Sequence, residues 1–575
     1  MNSDDDVDSG LARQPLTSEP QAGVEPPVAS APAGSKRFGG YAALVAAGIM
    51  LSRIAGLVRT VVFARYLGTS GAADAFNVAL KVPNFLQNLL GEGVLSAAFI
   101  PVYSRLISKG ENKVADRVAG VFVSFLVLIV AAIVTLGVIF TPLILSITAP
   151  GLSPPVMNLA IKFTRIIFPG VGVLVLYAWA LGILNAHRQF FISYVAPVLW
   201  SASMIVTMIV FGMRMSGAAL ATALAWGTLV GFVLQFAIEI PFVLRHAKHL
   251  SFGFDLSLEP VRTIFRNILP VVGGRGVVQI SSYVDTVIAT LLQTGAVSIL
   301  TYAQILYTLP ISVFGMSVAA AELPQMSSER GTDDEINSAL RRRLDRGIRQ
   351  MAFFVVPTTI AFLFLGRVIA AALFQHGVFT ANDSRLVWYA LCGSAIGLLV
   401  STLGRLYSSA FYALHDTRTP VRIAMLRVFI GTALAVLFAF PLRWIFPALF
   451  TALGLAVPRS AGGAATLGVV GITIASAIAA WVEFLLLRSR MRKRIGPGDS
   501  KFAFMLKLWI AAIAAGASSA ALDVYFARDF ALRLPLPRVS EAILVCGTFG
   551  IVYFAVAALL GVSEVRAFVS RFAKR

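Results

Sequence analysis

Polar and charged residues recur along one side of an otherwise apolar stretch that begins near residue 74. At 100° per residue of an α-helix, the six positions fall within an arc of about 80°. They are Asp74, Asn77, Lys81, Asn84, Asn88 and Glu92. A charge inside a membrane-spanning helix costs about 2.5 to 3.5 kcal/mol, so a stripe of this length favours a water-filled cavity over hydrogen bonding between helices. Pro83 lies within the same stretch and predicts a kink.

A second polar stripe occupies one face of the stretch at 263–292. It consists of Arg275, Gln279, Ser282 and Thr286, with Asp285 beside it. Arg275 could bind an anionic ligand or form a salt bridge with a neighbouring helix, and the sequence leaves both readings open. Asp285 is a candidate charge partner or ion ligand, although one carboxylate is insufficient evidence for a cation site.

Three arginines, Arg53, Arg59 and Arg65, are spaced six residues apart in the first apolar stretch. Six residues of an ideal helix turn through about 240°, so the three side chains would point in different directions. A kink at Gly56 could turn Arg53 and Arg59 toward one cavity. Arg65 lies near the outer end of the stretch, where we expect it to reach the membrane interface or to pair locally.

The chemistry that these helices offer is anion binding. Four cations, Arg53, Arg59, Lys81 and Arg275, stand against the carboxylates of Asp74, Glu92 and Asp285. A guanidinium group can donate two parallel hydrogen bonds to the oxygens of a phosphate. Several such groups predict a polyphosphate head group as ligand. The chain has no phosphate-binding G-x-x-x-x-G-K-[ST] loop, so ion gradients or the membrane potential must drive any transport. The two cysteines, Cys392 and Cys546, indicate neither a disulfide framework nor a metal site, and we expect no cofactor.

The elements that must position these residues are membrane-spanning helices. The 575 residues are 58% hydrophobic and 13% charged, which excludes a water-soluble fold. About 14 stretches reach the length of roughly 20 residues that a span requires. They lie near 41–67, 74–104, 118–148, 157–186, 191–213, 217–244, 263–292, 297–326, 347–366, 386–413, 419–440, 465–487, 503–526 and 540–562. The predicted fold class is an all-α polytopic membrane protein.

The net charge of +20 indicates how the chain is oriented in the membrane rather than nucleic-acid binding, because the basic residues lie in short loops between apolar stretches. With a cytoplasmic N-terminus, most Lys and Arg fall on cytoplasmic loops. The outer side then receives Arg214, Arg367, Arg385, Arg443, Arg459, Arg528, Arg533 and Arg538. This asymmetry predicts that both termini are cytoplasmic.

Domain organisation follows from a weak internal similarity. His187 and His415 both end apolar stretches, with Pro197 and Pro420 in the stretches that follow. We therefore predict two six-helix lobes, 41–247 and 248–495, around a central cavity. Residues 496–575 add two C-terminal helices, and the Pro- and Asp-rich residues 1–40 are predicted to form a disordered cytoplasmic tail.

Several motifs resemble the MurJ/MviN family of lipid II flippases, part of the MOP exporter superfamily. The motifs are LSRIAGLVR at 51–59, ARYLG at 64–68, ADAF at 73–76, KVPN at 81–84, GEG at 91–93, AFIP at 98–101, FQHGVFT at 374–380 and DTRTP at 416–420. The similarity covers about residues 38–495. It implies a 14-helix fold with a V-shaped cavity and alternating access. The implied function is to carry the undecaprenyl-diphosphate-linked peptidoglycan precursor to the outer leaflet of the cytoplasmic (inner) membrane, without enzymatic activity.

The resemblance also implies roles for particular residues. Arg53, Arg59 and Asp74 match charged cavity residues of the family, whereas Asn88 and Ile305 stand where some members have arginine. We infer that Arg275 restores a cation from the seventh helix. The predicted substrate-binding residues are Arg53, Arg59, Asp74, Lys81, Asn88 and Arg275, and the predicted cavity or charge-partner residues are Glu92, Gln279 and Asp285.

Other functions remain to be weighed. Another MOP-type exporter, for O-antigen or capsule lipids or for drugs, would lack the N-terminal arginine and Asp-Ala-Phe pattern, and a drug antiporter should prefer an anionic cavity. A membrane enzyme acting on polyprenyl phosphate would need a carboxylate cluster for a metal. A scaffold of the cell-wall elongation machinery would not need aligned intramembrane charge. The expected partners are lipid II, the membrane and cell-wall synthesis proteins.

Overall fold

The computed structural model describes residues 36–90, 95–316, 332–452, 467–498 and 502–565, with positions 318, 319, 322 and 326. At 36–47 and 269–282, and at a few single positions, this description covers the backbone alone. The described residues contain helices and connecting turns but no strand, which confirms the all-α prediction. Helix α1 begins at Lys36, inside the predicted tail, and residues 1–35 lie outside the description.

The first half of the chain folds into eleven described helices. They are α1 (Lys36–Leu67), α2 (Gly71–Leu90), α3 (Ile100–Ser108), α4 (Asn112–Ile139), α5 (Thr141–Thr148), α6 (Pro154–Ile167), α7 (Pro169–Ala186), α8 (Phe190–Gly212), α9 (Gly217–Ala237), α10 (Ile240–His246) and α11 (Glu259–Thr290). Proline opens α6 and α7, where its missing N–H has no intrahelical partner to lose. A π-helical turn at Leu95–Phe99 precedes α3.

The second half contributes ten more. They are α12 (Ala296–Pro310), α13 (Asp333–Phe374), α14 (Ala381–Ala395), α15 (Leu398–Ala413), α16 (Arg418–Ala439), α17 (Ile445–Ala452), α18 (Gly468–Ile495), α19 (Phe502–Leu522), α20 (Arg528–Ala531) and α21 (Pro537–Leu559). Capping boxes start α13, with Thr332 and Glu335, and α14, with Thr380 and Asp383.

The apolar helices account for most of the predicted spans. Among the described residues, ten helical segments are long and apolar enough to cross a membrane, and α14 with α15, bent by 44°, makes an eleventh. The predicted spans at 41–67, 74–104 and 263–292, which correspond to α1, α2 and α11, are not among these segments, and parts of α1 and α11 are described by their backbone alone. The polar stripe of α2 needs protein or water beside it rather than lipid.

Several predicted stretches are divided in the structure, among them those at 74–104 and 118–148. The stretch predicted at 74–104 becomes α2, the π-helical turn and α3, while Pro83 lies inside the continuous helix α2. The stretch predicted at 118–148 is split between α4 and α5. Pro142 stands in the first turn of α5, where its ring prevents α4 from continuing in regular hydrogen bonding.

Helix packing brings α2 and α11, which carry the two polar stripes, into contact. Helix α1 packs on α8, and α2 packs on α6 and α7. Helix α2 also contacts α11 and α12. It therefore connects helices of the first half of the chain to the second half. The C-terminal helices α19 and α21 pack against each other and on α13, at a distance from the polar stripe of α2.

Candidate functional site

Asp74 lies on the first turn of α2 and caps the start of α12. It is 2% exposed. Its Oδ1 accepts hydrogen bonds from the Ser298 backbone N–H at 2.9 Å and the Ser298 hydroxyl at 2.6 Å, and its Oδ2 accepts one from the Gly295 N–H. The first N–H groups of a helix lack intrahelical partners and carry partial positive charge, so they stabilise a buried carboxylate. This carboxylate is therefore engaged by another helix, and its predicted role in substrate binding stays a prediction.

Further contacts fasten the turn between α1 and α2 at the same end of the molecule. Asn77 donates to the Ser298 hydroxyl at 3.1 Å, and the buried Tyr302 hydroxyl donates to the Gly68 carbonyl at 2.7 Å. Thr69 donates to Asp383 on α14 at 2.7 Å. We call the contacts of Gly68, Thr69, Asp74 and Asn77 with α12 and α14, together with the Arg65 contact described next, the closure network.

The FQHGVFT motif completes this network. The Val378 N–H donates to the Arg65 carbonyl at 3.0 Å, which ties the motif to the end of α1. Gly377 has a φ of 62°, and a Cβ there would lie 2.2 Å from the same carbonyl oxygen. Only glycine satisfies both conditions. The motif is thus a close backbone contact between two parts of the chain that are far apart in sequence.

Lys81 lies two turns further along α2 and faces α11. Its ammonium donates to the Thr286 hydroxyl, and its backbone carbonyl accepts a hydrogen bond from the Tyr283 hydroxyl. Asp285 attracts Lys81 electrostatically and accepts a hydrogen bond from Ser476 on α18 at 3.4 Å. The structure therefore brings Lys81 and Asp285 together, as charge partners on facing helices.

The charges continue from Asp285 into the second half of the chain. Arg427 on α16 pairs with Glu483 on α18 at 2.7 Å and also attracts Asp285. Lys81, Asp285, Arg427 and Glu483 thus alternate in sign across four helices. We call these four residues the charge ladder. Alternation of sign stabilises each of these half-buried charges through its neighbours, and the four formal charges sum to zero.

Arg53 and Arg59 lie outside the ladder, on α1. The Arg59 guanidinium carbon lies 4.3 Å from the ring centroid of Trp200 on α8, in a cation–π contact. A cation–π contact does not use up the guanidinium N–H groups, which can still donate to phosphate or carboxylate oxygens. Arg53, two turns earlier, is exposed. Arg65, at the end of α1, is also exposed. Its guanidinium carbon lies 6.0 Å from the ring centroid of Tyr66.

The remaining predicted site residues divide into two groups. Asn88 is half-buried on α2, along the same polar face as Lys81. Glu92 and the side chains of Arg275 and Gln279 lie outside the described residues. The contacts also reveal residues that sequence reasoning missed, namely Tyr283, Gly295, Ser298, Trp200 and Ser476. A glycine followed three residues later by serine at the start of an apolar stretch was the available signal for the capping site.

The DTRTP motif forms the turn between α15 and α16. Asp416 accepts hydrogen bonds from the Thr419 backbone N–H at 3.0 Å and the Thr419 hydroxyl at 2.8 Å, and it pairs with Arg494 at 3.3 Å. Partial burial acts to raise the pKa of Asp416, but these hydrogen bonds and the arginine hold it below its ordinary value. The motif is an anchor for α16 and α18 rather than part of the polar face of α2.

Comparison with known proteins gives one consistent result. The family model described as lipid II flippase MurJ matches residues 63–539. The probable lipid II flippase MurJ of Haemophilus influenzae is 30% identical over 484 residues, which cover 82% of this chain and 89% of that protein. The lipid II flippase MurJ of Burkholderia cenocepacia is 28% identical over 521 residues, covering 89% of this chain and 95% of its own.

Solved structures show the same fold. A structure described as lipid II flippase MurJ in an inward closed conformation superposes with a TM-score of 0.70 at 22% identity, over 92% of this chain and 99% of that one. An inward-facing multidrug resistance MATE transporter of the MOP superfamily superposes with a TM-score of 0.59 at 19% identity, over 77% and 95%. These are transporter folds. With a family match that spans most of its length, the chain belongs to the MurJ family of lipid II flippases.

Proposed function

We propose that this protein flips lipid II, the undecaprenyl-diphosphate-linked peptidoglycan precursor, from the inner to the outer leaflet of the cytoplasmic membrane by alternating access. It acts as a transporter of cell-wall synthesis and not as an enzyme. The observation that carries the proposal is the placement of charge. Predicted anion-binding residues lie on α1, α2 and α11, among them Lys81 on the polar stripe of α2, and these helices belong to a chain that matches the flippase family along 63–539.

Anion binding is assigned to cations outside the charge ladder. The Lys81 ammonium is engaged by Thr286 and attracted by Asp285, so we assign Lys81 a role mainly when the helices separate. Arg59 is oriented by Trp200, and Arg53 is exposed on the same helix. These two arginines, with Arg275 on α11, form the proposed diphosphate site, and Asn88 contributes a neutral hydrogen-bonding group. Two or three guanidinium groups suit a diphosphate because each can donate a pair of hydrogen bonds.

Glu92, Gln279 and Asp285 are assigned to the cavity wall. In this arrangement the Asp285 carboxylate interacts electrostatically with Lys81 and Arg427, and we do not assign it to a transported ion. Asp74 acts through the closure network, because its carboxylate is fully engaged at the start of α12. We therefore assign Asp74 an effect on transport through the stability of the state in which the closure network is formed.

The proposed orientation places both termini in the cytoplasm. Helix α1 then ends at the outer face, so the closure network shuts the outer side of the molecule in this structure. The two proposed lobes, residues 41–247 and 248–495, separate at this network when the outer side opens. An anionic head group that moves outward gains about 2.3 kcal/mol per charge per 100 mV of membrane potential. Cell-wall synthesis proteins that consume lipid II are the proposed partners.

Depletion of the protein tests the function directly. Lipid II accessible at the outer leaflet should fall when the chain is depleted, and re-expression of the wild-type chain should restore it. Re-expression of Arg59→Ala at equal abundance should not. Normal outer-leaflet accessibility after depletion, in a strain without a second flippase, would exclude the proposal.

A further inference from the structure

A cavity of about 560 Å³ lies away from the polar face of α2, among α13, α14 and the segment that joins α20 to α21. Its lining includes the arginines Arg367, Arg385 and Arg538, the carboxylate of Glu541, and the apolar Leu532 and Leu536. The cavity opens at the same end of the molecule as the closure network, because the lining residue His376 is followed closely by Val378, which binds the end of α1. A volume of this size accommodates a phosphate-bearing head group.

The arginines of this cavity are not all neutralised. Arg367 pairs with Asp523 at 2.7 Å and with Glu541 at 3.4 Å. Arg385 and Arg538 are exposed, and no carboxylate among the described residues pairs with either. Arg538 donates to the Gln375 backbone carbonyl, which fixes the side chain without cancelling its charge. Two guanidinium groups therefore meet at one cavity with their charge available to an anion.

The position of these arginines is unusual for a membrane protein. Only eight basic residues of the chain are predicted on the outer side, and Arg367, Arg385 and Arg538 are three of them. Arginine outside opposes the charge bias that orients membrane proteins. Their concentration at a single cavity is better explained by a ligand than by topology.

Apolar side chains border the same cavity. Leu532 is 70% exposed and Leu536 is 68% exposed, and Phe530 lies just before them. Exposed leucines beside uncompensated arginines match an amphiphile, whose charged head enters the cavity and whose chains lie on the leucines. A free phosphate would use the arginines but would leave the apolar border without a function.

We infer that this cavity binds the head group of an anionic phospholipid of the outer leaflet, with Arg385 and Arg538 on its phosphate and Leu532 and Leu536 against its acyl chains. The bound lipid bridges α14 and α21, in addition to the direct packing of the C-terminal helices on α13. The inference is independent of the transported substrate, since none of these residues belongs to the proposed diphosphate site.

The test uses the purified full-length chain in detergent and native mass spectrometry. The probes are dioleoyl-phosphatidylglycerol, dioleoyl-phosphatidylcholine, farnesyl diphosphate and inorganic diphosphate. The test variant is Arg385→Gln/Arg538→Gln, and the matched control is Arg443→Gln, which removes an exposed arginine that does not line the cavity. We expect phosphatidylglycerol to bind the wild type and the control about tenfold more tightly than phosphatidylcholine, and to bind the double variant about tenfold more weakly.

Other results would overturn the inference. Equal retention of phosphatidylglycerol by the wild type and the double variant would exclude the cavity as its site. Loss of inorganic diphosphate binding in the variant, without any preference between the two phospholipids, would identify a free-phosphate site. A loss confined to farnesyl diphosphate would identify a site for the transported lipid. If the double variant does not yield folded protein, Arg385→Gln alone should weaken phosphatidylglycerol binding about threefold, and unchanged binding would exclude the site.

Discussion

The contact of Arg59 with Trp200 gives the proposed diphosphate site its most specific residue-level test. Trp200→Phe keeps an aromatic face and should retain most function, whereas Trp200→Ala removes a contact worth about 0.5 to 2 kcal/mol. Affinity for lipid II should fall roughly 2- to 30-fold in Trp200→Ala, measured on the purified protein. Trp226→Ala is the control, because Trp226 on α9 is 55% exposed. Wild-type affinity in folded Trp200→Ala would remove the stacked arginine from the site.

Arg275 can be tested without knowledge of its side-chain position. Arg275→Ala should abolish complementation of a flippase-depleted strain while the protein still accumulates, and Arg275→Lys should restore it in part, because lysine supplies charge without the paired donors. Introducing arginine by Ile305→Arg in the Arg275→Ala background should also recover some function.

The alternative for Arg275 is a salt bridge with Asp285. Asp285 already has Lys81 and Arg427 as cationic neighbours, so loss of Arg275 would not leave this carboxylate without positive charge nearby. If Arg275→Ala/Asp285→Asn supports growth as the wild type does, while Arg275→Ala alone does not, Arg275 has a structural role only.

Individual residues were predictable to different degrees. The helical period placed Lys81 on the polar face of α2, and the structure brings it against Thr286 and Asp285. The same period placed Asp74 on that face, but its carboxylate caps α12, a partner that spacing within one helix cannot identify. Trp200 was not predicted at all, because an isolated tryptophan in an apolar stretch carries no signal of the cation that stacks on it.

At the scale of elements, the junction of α2 and α12 depends on Gly295. This residue has a φ of 95°, and a Cβ there would lie 2.8 Å from the Thr69 carbonyl oxygen. Gly295→Ala should therefore weaken the closure network by about 1 to 3 kcal/mol and favour the state in which this end is open. Labelling of Asn77→Cys by a membrane-impermeant thiol reagent should rise in the Gly295→Ala background.

A matched glycine provides the control for this prediction. A Cβ on Gly253 would have no heavy atom within 4 Å, and the backbone there does not require a positive φ. Gly253→Ala should leave the labelling of Asn77→Cys unchanged. Equal labelling in the wild type, Gly253→Ala and Gly295→Ala would show that Gly295 does not control the closure.

The length of the apolar stretches was sufficient to locate most helices, because this length depends on local composition alone. The breaks within them were harder to predict. The bend of 44° between α14 and α15 occurs at Ile396 and Gly397, where a Cβ on Gly397 would lie 2.8 Å from the Ala477 Cα. Close packing against α18 determines that break. The sequence of α14 and α15 alone therefore does not predict where the helix is interrupted.

For the whole molecule, the polar face of α2 should become accessible to water during transport. Asn84 and Asn88 are half-buried on this face, beyond Lys81. Asn84→Cys and Asn88→Cys should react with an impermeant thiol reagent in at least one conformational state, with loop cysteines as positive controls. Complete protection of both positions in every state would argue against a water-filled cavity along α2.

Alternating access requires that the closure network break in every transport cycle. Thr69 and Asp383 meet across it, with their side-chain oxygens 2.7 Å apart. In a background without Cys392 and Cys546, Thr69→Cys/Asp383→Cys should form a crosslink under oxidation that holds this end closed. The amount of lipid II accessible at the outer leaflet should then fall to the level of depleted cells and recover when a reductant is added. Each single cysteine variant should flip normally under both conditions, because neither can form the crosslink alone. Normal accessibility with quantitative crosslinking would show that lipid II does not leave through this end, and that the closure network is a fixed joint between the two halves of the chain.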